Sequence, residues 1–319
     1  MLKNPKVWVI VIAAIVMGAL VKIFTPLSIE AVRASISFAP EQLFAPHIGG
    51  YVFSISNTMC TTWIAMLIIV ILFFFGTRKM QLIPGGLQNV LEMLIEYLVG
   101  LAESVAGHRA MKFFAIASTI FILLLVSNLI ALIPGFGPIG VIHLAEGEHA
   151  PQGITIIGDA PSIFETKHEP GQEGPILAPF VRAPATDLNL ALALALISVV
   201  MTQVYGFQAQ GARYLTRFFS FGRLLKGNIA FGLIDVFVGI VELISEIMKI
   251  VAFTFRLFGN IFAGEIVLLI MAYLFLVLPF PFYGLELFVA VIQAFVFAVL
   301  TLAFMTIASA EHEAGAEHH

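Results

Sequence analysis

The sequence predicts an all-α, polytopic membrane protein with about six membrane helices, because several stretches are apolar over the length that a spanning helix needs. Of its 319 residues, 60% are hydrophobic and only 11% are charged, and the mean hydropathy is +1.01. Soluble domains carry roughly one quarter charged residues, so this composition excludes an ordinary soluble protein. The formal net charge of -4 argues against a nucleic-acid partner, which would require a basic face.

The apolar windows follow one another along the whole chain. A spanning helix needs about 20 apolar residues. Windows of this kind lie at residues 7–24, 61–75, 113–133, 188–207 and 288–307. The first window follows Lys3 and Lys6, as in a signal peptide. Because no small-x-small cleavage site follows Leu20, we predict that this span is retained.

One further apolar region, residues 229–278, is too long for a straight span. About 50 residues at 1.5 Å each make a helix of roughly 75 Å, whereas the hydrocarbon core is about 30 Å thick. The region must therefore tilt steeply, run partly along the membrane, or break.

Two segments between the windows have their own patterns. Residues 81–107 carry apolar side chains at helical spacing with Glu92, Glu96 and Glu103 among them, which predicts an amphipathic helix at the inner interface. Residues 135–187 are rich in Pro, Gly and acidic side chains. They predict an outer loop, and its length indicates either a function or disorder.

The basic residues indicate the orientation. With the amino terminus inside and region 229–278 crossing once, the outer segments hold only Arg33, Lys167 and Arg182. The inner segments then hold Lys3, Lys6, Arg78, Lys79, Arg109, Lys112, Arg213, Arg217, Arg223 and Lys226. This asymmetry follows the positive-inside rule and places both termini in the cytoplasm. The single crossing of the long region is a weaker inference, because the tail after it has no Lys or Arg.

Ionisable side chains recur inside the long apolar region. Asp235, Glu242, Lys249 and Arg256 are spaced seven residues apart, so they share one slowly drifting stripe of a helix, with Ser245 beside it. Such groups cost a few kcal/mol in a membrane and are functional candidates by default.

The charges of this stripe differ in their local partners. Lys249 can pair with Glu242 or Glu246 as an ordinary helical ion pair, a purely structural role. Arg256 has no carboxylate within one turn of its own helix, so it must face water, another helix or another subunit. A guanidinium stays protonated, and Arg256 therefore holds a fixed positive charge that acts on carboxylates.

Other polar residues extend the candidate site. Asn260 continues the Arg256 face at i+4, and Glu265 lies nine residues after Arg256, roughly 13 Å along the axis and about half a turn round. Glu286 and Gln293 are seven apart and share a face of the last span. A carboxyl there can act as a proton acceptor and donor, whereas Gln293 has the alternative of a purely structural interhelical hydrogen bond.

Several separated runs resemble one family. They are "SNLIALIPG" at 127–135, "ATDLNLALALAL" at 185–196, "RLFGNIFAGE" at 256–265 and "IQAFVFAVLTLAFMTIASAEH" at 292–312. In this order they resemble subunit a of the membrane sector of bacterial F-type ATP synthases. The resemblance extends from about residue 44 to His312.

The resemblance implies a non-catalytic, proton-conducting stator subunit that needs no cofactor or metal. Two long tilted C-terminal helices form a hairpin against a ring of c subunits, whose carboxylates are the anionic partners of Arg256. One half-channel delivers protons from outside and another releases them to the cytoplasm, while Arg256 separates the two. Glu265 and Glu286 then belong to the outer path and Glu242 and Ser245 to the inner path. Asn260 and Gln293 lie near the arginine.

The resemblance also implies a setting and a domain organisation. The partners are the c-ring, peripheral stalk subunit b, other ATP synthase subunits and the lipid of a bacterial cell (inner) membrane. The core comprises residues 41–312, after an additional N-terminal span and linker at 1–40 and before a polar tail at 313–319. The outer loop at 135–187 is longer than is common in the family.

Some alternatives stay open. Many members have a histidine where this chain has Glu286, so either Glu265 or Glu286 can carry the proton, and the coupling ion can be H⁺ or Na⁺. The cluster of His143, Glu146, Glu148 and His149 follows no closed metal-site pattern and reads as a solvated acidic loop. The competing functions are a secondary transporter, which should show repeated halves, and a membrane anchor, which should tolerate Arg256→Gln.

Overall fold

The described part of the chain is mainly helical. The computed structural model describes residues 40, 42–44, 47–48, 51–52, 55–133, 140–143, 176–218, 229–274 and 279–310. The predicted N-terminal span at 7–24, the middle of the outer loop and the polar tail at 313–319 lie outside these residues.

Six α-helices lie within the described residues. In chain order they are α1 (Asn57–Thr77), α2 (Leu87–Ala106), α3 (Ala110–Ala131), α4 (Leu188–Gln210), α5 (Ile229–Leu274) and α6 (Pro279–Ala310). Short 3₁₀ segments lie between α2 and α3 at Gly107–Arg109, before α4 at Pro184–Thr186 and after α4 at Gly211–Arg217. Each apolar window predicted after residue 60 lies within or largely overlaps one of these helices.

Four apolar segments meet the length and composition of a membrane span within the described residues. They are Asn57–Thr77, Leu87–Ala131, Leu188–Arg217 and Pro279–Ser309. Large apolar side chains on them are exposed, for example Leu67, Val70 and Phe75 on α1. Contiguous apolar exposure of this kind fits a lipid-facing surface. The prediction of an all-α, polytopic membrane protein is confirmed.

The long apolar region forms one helix without a break from Ile229 to Leu274. Its 46 residues correspond to about 69 Å at 1.5 Å per residue, more than twice the hydrocarbon thickness. Of the three options for this region, a break is therefore excluded between these residues. Helix α6 begins at Pro279, a residue whose fixed φ suits the first turn of a helix.

The amphipathic segment predicted at 81–107 forms α2, Leu87–Ala106, with Glu96 and Glu103 exposed and Leu98 buried. Gly107 then has φ 56°, in the left-handed region that glycine adopts without a steric penalty. The chain can therefore leave α2 and start α3 at Ala110 after a single 3₁₀ turn.

Three short antiparallel strand pairs were not predicted. β1 (Gln42–Phe44) pairs with β4 (Ile55–Ser56), and β2 (His47–Ile48) pairs with β3 (Tyr51–Val52). β5 (Gly140–His143) pairs with β6 (Ile176–Pro179) and joins the two ends of the outer loop. Strands of two to four residues are too short to show the alternation on which a sequence prediction depends.

The chain divides into two compact units. One takes its described residues from Met1–Ile64, Ser127–Asp187 and Asn260–Ala290, and the other from Ala65–Val126, Leu188–Gly259 and Val291–His319. In the second unit, small residues of α2 and α3 pack against α6. This core consists of Ala102, Ala106, Ala110, Phe113, Ala117, Leu302 and Met305. Alanines at such a contact allow helix backbones to approach closely.

Candidate functional site

Helix α5 presents Arg256 on an exposed face. Phe253 and Leu257 are buried, whereas Phe255, Arg256 and Asn260 are exposed. Within the described residues, no hydrogen bond or ion pair is formed by the Arg256 side chain. The guanidinium is thus a fixed charge on the surface of a helix whose other face packs inside the chain.

The first unit brings Arg182, Glu265 and Glu286 into one group, here called the carboxylate cluster. Arg182 Nε lies 3.2 Å from Glu265 Oε1 and 3.3 Å from Glu265 Oε2. Glu286 is buried, and its carboxyl group contacts the backbone at Gly264, occupying the space where a Cβ would lie. The Glu286 carboxyl is also near enough to Glu265 for the two charges to interact.

Arg182 is held in place by its backbone. Its N–H donates a hydrogen bond to Thr61 Oγ1 at 3.2 Å, and the Thr61 hydroxyl donates to the backbone oxygen of Asn57 at 3.0 Å. Near the same end of α1, Thr58 Oγ1 donates to Asp187 Oδ2 at 3.0 Å. The start of α1 and the segment before α4 are therefore tied together around the arginine.

The second unit contains an ion-pair network on the earlier part of α5. It comprises Arg217, Glu242, Glu246 and Lys249. Arg217 Nη2 pairs with Glu242 and lies 3.9 Å from Glu246 Oε1, and Lys249 Nζ donates to Glu246 Oε1 at 2.6 Å. Two positive and two negative side chains thus balance one another, and the predicted pairing of Lys249 forms with Glu246.

Neutral side chains extend this network. Gln203 Nε2 donates to Glu246 Oε2 at 2.8 Å, and the Tyr214 hydroxyl donates to Gln203 Oε1 at 2.7 Å. Glu246 is consequently bound from two elements besides α5. It is 7% exposed, so its charge is satisfied locally.

The remaining predicted site residues have different surroundings. Ser245 is exposed on α5, and Gln293 is buried on α6 at 3% exposure. The structure therefore groups Glu265 with Glu286, places Glu242 in the ion-pair network, and leaves Arg256, Asn260 and Ser245 on exposed positions of α5.

Sequence reasoning missed two functional candidates, Arg182 and Arg217. It used both only as markers of orientation. Arg182 carried a usable signal, because it is one of the few basic residues assigned to the outer side, where the positive-inside rule disfavours them. An arginine on the outer side is therefore expected to have a specific partner, and in the structure Arg182 donates a hydrogen bond to Glu265.

The described residues of this site do not form a group of metal ligands. Among residues that the structure describes, no three His, Cys, Asp or Glu side chains come together as a metal site. His143 lies in β5, whereas Glu146, Glu148 and His149 lie outside the described residues.

Comparison with known proteins identifies the family. The family model described as ATP synthase A chain matches residues 59–306. ATP synthase subunit a of Moorella thermoacetica is 29% identical over 271 residues, covering 83% of this chain and 94% of that protein. ATP synthase subunit a of Gloeobacter violaceus is 29% identical over 265 residues, covering 82% and 86%. Since the family model covers more than half of the sequence, the chain belongs to the ATP synthase A chain family, subunit a of F-type ATP synthases.

Proposed function

We propose that this chain is the stator subunit through which protons pass in the membrane sector of the ATP synthase. Its family is that of a proton-translocating membrane-sector subunit, which is not itself the catalytic subunit. The finer proposal is that two offset half-channels, one open to the outside and one to the cytoplasm, exchange protons with carboxylates of a c-ring. Rotation of the ring then couples proton flow to ATP synthesis.

Arg256 is the fixed charge between the two half-channels. The observation that supports this role is its exposure on α5 without a carboxylate partner among the described residues. A guanidinium does not release its proton at a reachable pH, so it cannot relay protons itself. It attracts a deprotonated ring carboxylate and prevents a proton from passing directly between the half-channels.

The carboxylates before and after Arg256 supply the two paths. Glu265 and Glu286 belong to the outer path, and Glu242 and Ser245 to the inner path. The grouping of the first two in one cluster supports a shared role in proton transfer. Asn260 and Gln293 are assigned to the region near Arg256, where their amides can orient water or the ring carboxylate.

The proposed setting is a bacterial inner membrane, with both termini in the cytoplasm and several crossings. The partners are the c-ring, the peripheral stalk subunit b, the other ATP synthase subunits and lipid. Residues 41–312 form the working core, with the outer loop at about 135–187, the N-terminal span and linker at 1–40, and the tail at 313–319. The apolar exposure on α1 and the apolar segments of the described chain support a lipid environment.

The test compares ATP-driven proton pumping and passive proton leak in membrane vesicles that carry the parent enzyme or Arg256→Ala. We expect pumping to be lost while soluble ATP hydrolysis survives, and leak through the stripped membrane sector to persist or rise. Arg213→Ala is the matched control, because Arg213 is also exposed but lies outside α5.

The pumping rates of the two variants distinguish a charge barrier at Arg256 from a purely structural charge. Loss of pumping in Arg256→Ala but not in Arg213→Ala supports a charge barrier at Arg256. Pumping near the parental rate in Arg256→Ala, with the complex assembled, contradicts the stator proposal and leaves Arg256 as a structural charge.

A further inference from the structure

The carboxylate cluster contains one cation and two carboxyl groups, and the two carboxyl groups are not equivalent. Arg182 Nε donates a hydrogen bond to Glu265 Oε2 at 3.3 Å and lies 3.2 Å from Glu265 Oε1. Within the described residues, Glu286 has no ion pair with any arginine or lysine. The positive charge of Arg182 is therefore paired with Glu265 and not with Glu286.

The two carboxyl groups also differ in their exposure. The Glu286 residue is 4% exposed and seated on the backbone of Gly264, whereas the Glu265 side chain is 40% exposed. A bound guanidinium favours the ionised form of its carboxyl partner. For a buried carboxyl beside another negative charge, the protonated, neutral form is favoured instead.

We propose that Arg182 is a positioning residue that keeps Glu265 ionised and oriented, so that Glu286 is the carboxyl that takes up and releases the transported proton. This inference rests on the proposed function and assigns the proton within its outer path. The Arg182–Glu265 pair is neutral at all times. In each transfer Glu286 changes from carboxylate to carboxylic acid when it accepts a proton from outer water, and it returns to carboxylate when it passes that proton to a ring carboxylate.

The position of Arg182 fits this role. The arginine is 7% exposed, and its backbone N–H is bonded to the buried Thr61 hydroxyl at the start of α1. A guanidinium held in this way keeps one geometry without relying on solvent, and its proton cannot be lost. The other described acid nearby, Asp187, accepts a hydrogen bond from Thr58.

The test uses four variants of the assembled enzyme: Arg182→Gln, Glu265→Gln, the double variant of these two, and Glu286→Gln. Stripped membrane sectors are reconstituted in liposomes, and proton conduction driven by a potassium diffusion potential is measured per assembled complex while the pH on the outer face is varied. The expected result for Glu286→Gln is a loss of at least about 100-fold at every pH, since its proton-carrying carboxyl is gone.

The pH profiles distinguish a positioning role from a merely structural one. Glu265→Gln leaves an unbalanced positive charge near Glu286. The midpoint of the pH profile of proton conduction therefore moves to lower pH by about one unit. Arg182→Gln leaves an unbalanced negative charge, so the midpoint moves to higher pH by a similar amount. The double variant is neutral again, and its midpoint should return to the parental pH with conduction within about threefold of the parent.

Opposite shifts that cancel in the double variant support the inference. Conduction near the parental rate in Glu286→Gln, together with loss in Glu265→Gln, overturns it and makes Glu265 the carrier. Unchanged pH midpoints in assembled Arg182→Gln and Glu265→Gln also overturn it. Arg182→Lys, which keeps the charge, provides the measurement if Arg182→Gln does not assemble, and its midpoint should stay within about 0.3 unit of the parent. Arg256→Ala in the same liposomes tests the proposed function separately.

Discussion

Gly264→Ala should impair proton transfer because it displaces the Glu286 carboxyl. In the structure this carboxyl occupies the place where a Cβ on residue 264 would be built, overlapping with both of its oxygens and its carbon. Non-bonded carbon and oxygen atoms require about 3.5 Å, so the carboxyl must retreat by about 1 Å or more. A misplacement of about 1 Å in a reacting group can reduce a rate by about 100-fold.

Two other glycines provide matched controls for this change. A Cβ added at Gly259 on α5, or at Gly284 on α6, meets nothing within 4 Å in the described part of the chain. Each glycine-to-alanine change favours the helix by up to about 1 kcal/mol, so the three variants gain similar backbone stability. Only Gly264→Ala is expected to slow proton conduction.

The assay is ATP-driven pumping in vesicles, normalised to the amount of assembled enzyme. We expect a reduction of about 10- to 100-fold for Gly264→Ala and little change for Gly259→Ala and Gly284→Ala. Adding Glu286→Asp to Gly264→Ala should restore part of the rate, because the shorter side chain leaves room for the new methyl group. Parental pumping by Gly264→Ala would refute the placement of Glu286 against this glycine.

Three further changes test other contacts. Arg256→Lys keeps the charge but can lose its proton, so pumping should fall and recover partly at lower pH in a pH series. Phe253→Ala removes a buried ring stacked 4.8 Å from an α6 ring and should cost about 3–5 kcal/mol, seen as a lower unfolding temperature in detergent. Phe255→Ala, at an exposed ring, should change that temperature little. Glu246→Gln should release Lys249 to amine-labelling reagents, and unchanged labelling would contradict the pairing.

The sequence predicted the helices well because apolar side chains must cover the whole length of a spanning helix. It predicted their ends less well. The apolar window at 288–307 begins nine residues after the start of α6 at Pro279, since a helix continues through residues that hydropathy alone does not favour. Its first turns contain Glu286, a charged residue that lies outside the predicted window.

The site was predictable only where its contacts are local. Lys249 and Glu246 are one turn apart on the same helix, and helical spacing limited the predicted partners of Lys249 to Glu242 and Glu246. Arg182 and Glu265 are 83 positions apart, and no periodicity relates two residues on different elements. The contact between Gly264 and the Glu286 carboxyl could not be predicted from the sequence either, because it depends on how α5 and α6 pack within the first unit.

The charges of α5 differ in whether the described residues supply them with a partner. The described structure satisfies Glu242 with Arg217, Lys249 with Glu246, and Glu265 with Arg182. Each of these pairs is internal, so the chain can place it in a membrane without help from another subunit. The Arg256 charge has no such pair among the described residues, and a guanidinium cannot become neutral to avoid the cost. The compensating carboxylate is therefore expected from outside the described residues, and the c-ring of the proposed function would supply one.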